Sequence, residues 1–139
     1  MEDIKSTIAA ILEKKRIVYI SSVDADGFPN TKAMLAPRKH DGIKVFHFHT
    51  NTHSRRVSQY KQNPHASLYF CDELTFKGVM LVGTMEVLED SAHKEMLWQE
   101  SDTLYYSLGV TDPDYCVLKF TASKGRYYSN FSSEDFEVE

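Results

Sequence analysis

In HFHTNTHSRRVSQYKQNPHASL, residues 47–68, a strand, a turn, a helix and a second strand can be read in succession. The stretch begins as the tail of an extended run over residues 43–49, whose β-branched and aromatic side chains suit a strand. Thr50-Asn51-Thr52-His53 breaks that run with polar, turn-prone residues. Ser54 is placed to cap a helix whose inner face carries Val57 and Tyr60. Asn63-Pro64 stops the helix, because the residue before a proline is pushed out of the α region. Residues 65–70 then resume as a strand. A helix start bears free N–H groups and the positive end of the dipole, and here Arg55 and Arg56 stand beside it. Guanidinium groups add charge-assisted bonds of roughly 1.5–3 kcal/mol each to phosphate oxygens. The stretch therefore points to a phosphate-bearing ligand. The plainer alternative is that both arginines are solvated residues of a surface helix, where they oppose the dipole.

Working outward, residues 2–15 place Ile4, Ile8, Ile11 and Leu12 at helical spacing and predict one amphipathic helix. Residues 16–23 read as a strand, and Asp24-Ala25-Asp26-Gly27 as a hairpin turn into a second strand over residues 30–36. His40-Asp41-Gly42 turns the chain into the run at 43–49. Beyond the central helix come strands at 65–71 and 77–88, with Gly78 and Gly83 marking a bulge, a bend or a close approach. A helical region is expected from Asp90 or Ser91 to about Leu108, broken near Ser101-Asp102, with Met96, Leu97, Tyr105 and Leu108 on its apolar side. Asp112-Pro113-Asp114 ends it. Two further strands are expected at 115–121 and 126–130, then a loosely held acidic tail from about residue 132. About seven short strands in hairpins, with three helical segments, predict an α+β, mainly β domain whose antiparallel sheet closes into a small barrel.

At 139 residues the chain is expected to form a single domain over residues 1–139, burying about two-thirds of its unfolded surface. A net charge of −4 argues against a nucleic-acid binder, which normally presents a basic face. Cys71 and Cys116 are far apart and outside any CxxC pair, so neither a disulfide framework nor a thiolate zinc site is indicated; both read as small buried hydrophobes. The start, MEDIKSTIAAILEKK, lacks the basic region and apolar core of a signal peptide, and no apolar run reaches membrane-spanning length. A reducing, cytoplasmic setting without membrane contact is the expectation.

Three segments carry a resemblance. T-N-x-x-S-R-[KR] at residues 50–56, followed by N-P-x-[AV]-[SA]-L at 63–68, is the most specific. Gly27-Phe28-Pro29 leading into Thr31-Lys32-Ala33-Met34-Leu35 is the second, and LGVTDPDYCVLKF at 108–120 the third. In this order they resemble the flavin-binding split-barrel family related to pyridoxamine 5′-phosphate oxidase, and within it the short general-stress-protein group. The match runs from the first helix to about Asn130. The resemblance implies an antiparallel split β-barrel with a few peripheral helices, FMN as cofactor, oxidoreductase chemistry on a small-molecule redox substrate, and a homodimer with flavin at the subunit interface. It assigns the FMN phosphate to Thr50, Ser54, Arg55 and Arg56. It lays the strand containing Lys32, Ala33, Met34 and Leu35 along the isoalloxazine, with Lys32 also reaching toward phosphate. His49 falls where a tyrosine is common, and Gly78 where the oxidases place a glutamine that touches the flavin. FMN needs cationic and N–H donors at one end and an apolar slot at the other, and these residue types supply both.

The departures bear on substrate. Pro37 stands where the oxidases carry a substrate-binding lysine, the terminal Arg-x-His clamp has no counterpart, and Tyr127-Tyr128 replaces a common tryptophan. Oxidation of pyridoxamine phosphate is therefore not expected, and no side chain stands out as an essential acid or base. Two alternatives stay open: a flavin-binding or sensing protein without turnover, and a haem- or metal-binding barrel using His47, His49 or His53. Trp98, Tyr105 and Tyr106 read as core or dimer contacts.

Overall fold

The computed structural model describes residues 2–139. Helix α1 (Glu2–Glu13) buries Ile4, Ile8, Ile11 and Leu12, the face expected from their spacing. The strands are β1 (Ile17–Val23), β2 (Pro29–Leu35), β3 (Lys39–Asp41), β4 (Val45–Asn51), β5 (His65–Asp72), β6 (Lys77–Leu88), β7 (Tyr115–Ser129) and β8 (Ser132–Glu137). Helix α2 (Arg55–Gln62) joins β4 to β5, and α3 (Ser91–Leu97) follows β6. All strands belong to one antiparallel sheet in the order β2-β1-β5-β6-β7-β4-β3, with β8 also on β7. Alternate residues point to one interior, among them Val18 and Ile20 of β1, Phe46 and Phe48 of β4, and Leu68 and Phe70 of β5. With α1 they form the main core. The fold is an antiparallel split β-barrel with peripheral helices. No helix among the described residues is long and apolar enough to cross a membrane.

Local chemistry sets the elements that frame the site. The Asp24 carboxylate accepts the N–H groups of Asp26 and Phe28, and Gly27 takes φ +88°, closing the β1–β2 hairpin. Ser54 caps α2, its hydroxyl accepting the Val57 N–H at 3.4 Å, and Asn63 ends the helix in an extended conformation. Val57 and Tyr60 are buried, as their spacing predicts. The Tyr60 hydroxyl donates to the Ser21 carbonyl at 2.8 Å and Ser22 bonds Gln59, so α2 is fastened to β1.

Several expectations need correction. The two strands expected at 115–121 and 126–130 are one, β7, which pairs β4 over its first half and β8 over its second. Ala122-Ser123-Lys124-Gly125 has weak strand character, but β6 pairs through it, with Ala122, Lys124 and Gly125 all paired in register and a bulge between Val82 and Gly83. The tail from residue 132 is largely ordered as β8. Its acidic residues lie outward on an edge strand while Phe136 packs against the core, and Arg126 pairs with Asp135 at 2.6 Å. Asn130 and Phe131, both at positive φ, make the turn. The sheet thus has eight strands, and His40 and Asp41, expected in a turn with Gly42, belong to β3.

The region from 90 to 108 also departs from the expected helix. Only Ser91–Leu97 is α-helical, capped by Asp90, and 3₁₀ turns follow at Glu100–Leu104 and Gly109–Thr111. Met96, Tyr105 and Leu108 are exposed, whereas Leu97, Tyr106, Tyr115 and Val117 form a second apolar cluster. The α-helical period fails beyond residue 97 because Asp102 accepts the Gln99 N–H and winds the chain into the tighter 3₁₀ turn. Cys116 is buried but Cys71 is only partly so.

A Cβ built on Gly83 would run into the Thr121 carbonyl oxygen and the backbone of Ala122. Gly83→Ala is therefore expected to cost about 1–3 kcal/mol, the range for forcing extra volume into a packed site, read as a lower denaturant midpoint.

Candidate ligand-binding site

A hollow of about 720 Å³ lies between the end of β2, the end of β4 and the segment that carries Tyr105 and Tyr106. Its β2 wall is Lys32-Ala33-Met34-Leu35, on an edge strand that leaves Lys32, Ala33 and Leu35 exposed and Met34 half-buried. Its floor at the end of β4 includes Phe48, His49 and Thr50. Arg56, one residue inside the capped start of α2, reaches into it.

Arg56 is half-buried, and its Nη2 donates to the Thr50 hydroxyl at 2.7 Å. Its Nε is buried and has no hydrogen-bond partner. No carboxylate among the described residues forms an ion pair with it. Burial pulls its pKa below the ordinary guanidinium value. A partly desolvated cation with a spare N–H is a donor set suited to an anion.

Arg38 is handled differently. Its guanidinium grips both oxygens of Asp102 at 2.6 Å each and donates to the Leu97 carbonyl at 2.9 Å. A remaining N–H faces His49 Nε2 at 3.2 Å, and His49 Nδ1 lies 2.9 Å from the Tyr106 hydroxyl. Burial, and then the charge of Arg38, push His49 below the usual imidazole pKa. Burial raises the Asp102 carboxyl, but hydrogen bonds from Arg38 and the Gln99 N–H, with the charge of Arg38, outweigh it and hold it below the usual carboxylate range.

The hollow gathers Lys32, Ala33, Met34, Leu35, His49, Thr50 and Arg56, seven of the ten residues named from the sequence. Ser54 serves the helix cap. Arg55 is exposed and lines a separate hollow of about 440 Å³ with Asp24, Ser58 and Gln59. Gly78 lies on β6 opposite Cys71 and Tyr128, with its α-carbon facing the Tyr69 hydroxyl. His47 stacks on His93, and the exposed His53 pairs with Asp114, while His49 is held between Arg38 and Tyr106. No three His, Cys, Asp or Glu side chains among the described residues group as metal ligands. Sequence reading missed Arg38, Asp102 and the role of Tyr106. Arg38 and Asp102 are 64 residues apart, and no local pattern links them.

Removing one partner of a buried ion pair strands the other charge, so Arg38→Ala is expected to cost about 3–5 kcal/mol in a urea titration. Because the folded state lowers the Asp102 pKa, its contribution is present above the unfolded value and is lost as pH falls through the folded one. Asp102→Asn is expected to flatten that acid-side loss of stability.

Comparison with known proteins places this arrangement. A sequence model described as pyridoxamine 5′-phosphate oxidase matches residues 4–129. A Clostridium acetobutylicum protein, related to general stress protein 26 of B. subtilis and of the pyridoxinephosphate oxidase family, has a similar structure. It is 43% identical with a TM-score of 0.90, covering 99% of this chain and 96% of that one. General stress protein 26 of Bacillus anthracis shares the fold at 22% identity and TM-score 0.77, covering 97% and 98% of the two chains. A pyridoxamine 5′-phosphate oxidase-related, FMN-binding protein from Nostoc punctiforme does so at 16% and 0.72, covering 96% and 95%. Among curated proteins, pyridoxine/pyridoxamine 5′-phosphate oxidase of Salinibacter ruber is 34% identical over 79 residues, 57% of this chain and 36% of that one. The chain spans well under half the length of the curated relatives it matches. On the family match over residues 4–129, this chain belongs to the pyridoxamine 5′-phosphate oxidase family.

Proposed function

We propose that the chain is an FMN-binding flavoprotein that works as a homodimer in oxidoreductase chemistry, in a reducing, cytoplasmic setting. The observation that carries the reading is Arg56, a half-buried cation with a buried, unpartnered Nε and no carboxylate paired to it among the described residues. A phosphate would complete that donor set, with the Thr50 hydroxyl beside it and Lys32 on the facing strand. Met34 and Leu35 offer apolar surface for a flat ring. FMN-binding is also in the name of the Nostoc punctiforme relative. Bound flavin would supply electron transfer; the chain's part is to grip the phosphate, orient the ring and limit water around it.

The homodimer reading rests on the β1–β2 edge. Leu35 pairs with Ile17 and Ala33 with Tyr19, and Ile17, Tyr19 and Leu35 are exposed side chains of that ladder. A patch of this kind is a candidate for burial against a second copy, which would enclose the ligand that β2 leaves open. Gly78 would then join the site only from the other subunit. Oxidation of pyridoxamine phosphate is not expected, since Pro37, which by the resemblance stands at the oxidases' substrate-binding lysine, lines the hollow. A second reading is flavin binding without turnover, which the absence of the oxidases' terminal Arg-x-His clamp from the sequence favours. Steady NAD(P)H consumption by the FMN-loaded protein separates the two.

Arg56→Gln is expected to weaken FMN binding about tenfold or more in a fluorescence titration, one charge-assisted bond being worth roughly 1.5–3 kcal/mol. Riboflavin, which lacks the phosphate, should bind both proteins alike; equal FMN affinity in the two would refute the assignment. Sedimentation equilibrium is expected to give twice the chain mass, and Leu35→Glu to shift it toward the monomer and weaken FMN binding.

A further inference from the structure

We propose that Tyr106 is the hydrogen-bond donor of this site, its O–H addressing an acceptor atom of the bound flavin ring, either a carbonyl oxygen or an unprotonated ring nitrogen. The inference rests on the FMN reading and adds to it a residue that the phosphate grip does not involve.

An arginine guanidinium has only donors and keeps its charge throughout the accessible pH range. Arg38 Nη2 stands 3.2 Å from His49 Nε2, so that nitrogen must accept. The ring proton of a neutral His49 is then on Nδ1, which donates to the Tyr106 oxygen at 2.9 Å. A doubly protonated ring would set an Nε2–H against a guanidinium N–H, and burial also disfavours it. Tyr106 therefore uses a lone pair on His49 and must turn its own proton elsewhere. Among the described residues no acceptor is recorded for that proton, yet Tyr106 is 2% exposed and lines the hollow. Burial raises its pKa above that of an ordinary phenol, so the O–H is retained.

The relay behind it is rigid. Asp102 is 1% exposed, holds Arg38 through both oxygens and accepts the Gln99 N–H, so neither Arg38 nor His49 is free to turn away. The rings of Trp98 and Tyr115 pack on Tyr106 with centroids 6.3 and 4.9 Å away. Arg38, His49 and Asp102 are positioning residues on this view, and of these four side chains Tyr106 alone touches the ligand. The hollow thus offers cations to an anion and a neutral O–H to a further acceptor. A phosphorylated heteroaromatic meets both requirements.

The test is an FMN titration of wild type, Tyr106→Phe and protein carrying 3-fluorotyrosine at position 106, with the absorption spectrum of bound flavin recorded at saturation. Loss of one neutral hydrogen bond is expected to weaken FMN binding of Tyr106→Phe about 3–10-fold and to displace the flavin absorption maximum. The fluorinated side chain keeps the shape and donates more strongly, so its spectrum should move in the opposite sense. A purely structural Tyr106 would lower the melting temperature without moving the spectrum of bound flavin. If wild type binds FMN and the spectra of the folded substituted proteins match it, the inference falls and the flavin reading stands. The fluorotyrosine protein decides alone if Tyr106→Phe does not fold. If wild type shows neither quenching nor a thermal shift with FMN, both fall.

Discussion

The molecule is organised by one constraint: β7 must be buried on both faces over its first half while serving different neighbours along its length. Tyr115, Cys116, Val117, Leu118 and Phe120 are all fully buried. Cys116, Leu118 and Phe120 point into the barrel, and Tyr115 and Val117 into the second cluster. A strand of this kind needs cover on the outside as well, and α3 with the 3₁₀ turns provides it. Lys94, itself buried, donates to the Asp112 carbonyl at 3.0 Å, and the Tyr115 hydroxyl donates to the Lys94 carbonyl at 2.6 Å, locking that cover down. The same outer layer delivers Asp102 and Tyr106 to the ligand hollow. Packing of β7 and construction of the site are thus one event.

Two arginines border the hollow in opposite electrostatic states. Arg38 is neutralised by a bidentate carboxylate and serves as a fixed strut between β3, the outer layer and His49. Arg56 keeps its charge unpaired and one N–H unbonded. A buried charge with its partner in place is part of the structure, whereas one without invites a ligand of opposite sign. The contrast also explains why Arg55, next in sequence to Arg56, is not equivalent to it. The helix turns its side chain away, into solvent, toward a different and smaller hollow.

How far the chain could be read ahead of its structure follows the range of the interactions. Ser54 as cap, Asn63-Pro64 as stop, Val57 and Tyr60 as the inner face of α2, and residues 77–88 as one strand were legible because neighbouring residues set them. The acidic tail misled because Glu134, Asp135 and Glu137 look like a solvated end. They occupy an edge strand, where outward charge is compatible with pairing. The 98–108 segment misled because helical spacing was extended through Ser101-Asp102, where the Asp102 carboxylate redirects the backbone.

By itself the sequence determined the barrel class and the capped helix after β4, because periodicity, capping and turn chemistry act over a few residues; the grouping of Lys32–Leu35 with Thr50 and Arg56 came from the family resemblance. Tertiary structure alone decided which of the two adjacent arginines faces the hollow, that β7 runs unbroken, and that Asp102, Arg38, His49 and Tyr106 form a chain of directed hydrogen bonds. Those outcomes depend on contacts between residues far apart in the chain, 64 positions in the case of Arg38 and Asp102. The side-chain types forecast such contacts only as possibilities, and the packing of the outer layer on β7 selects among them.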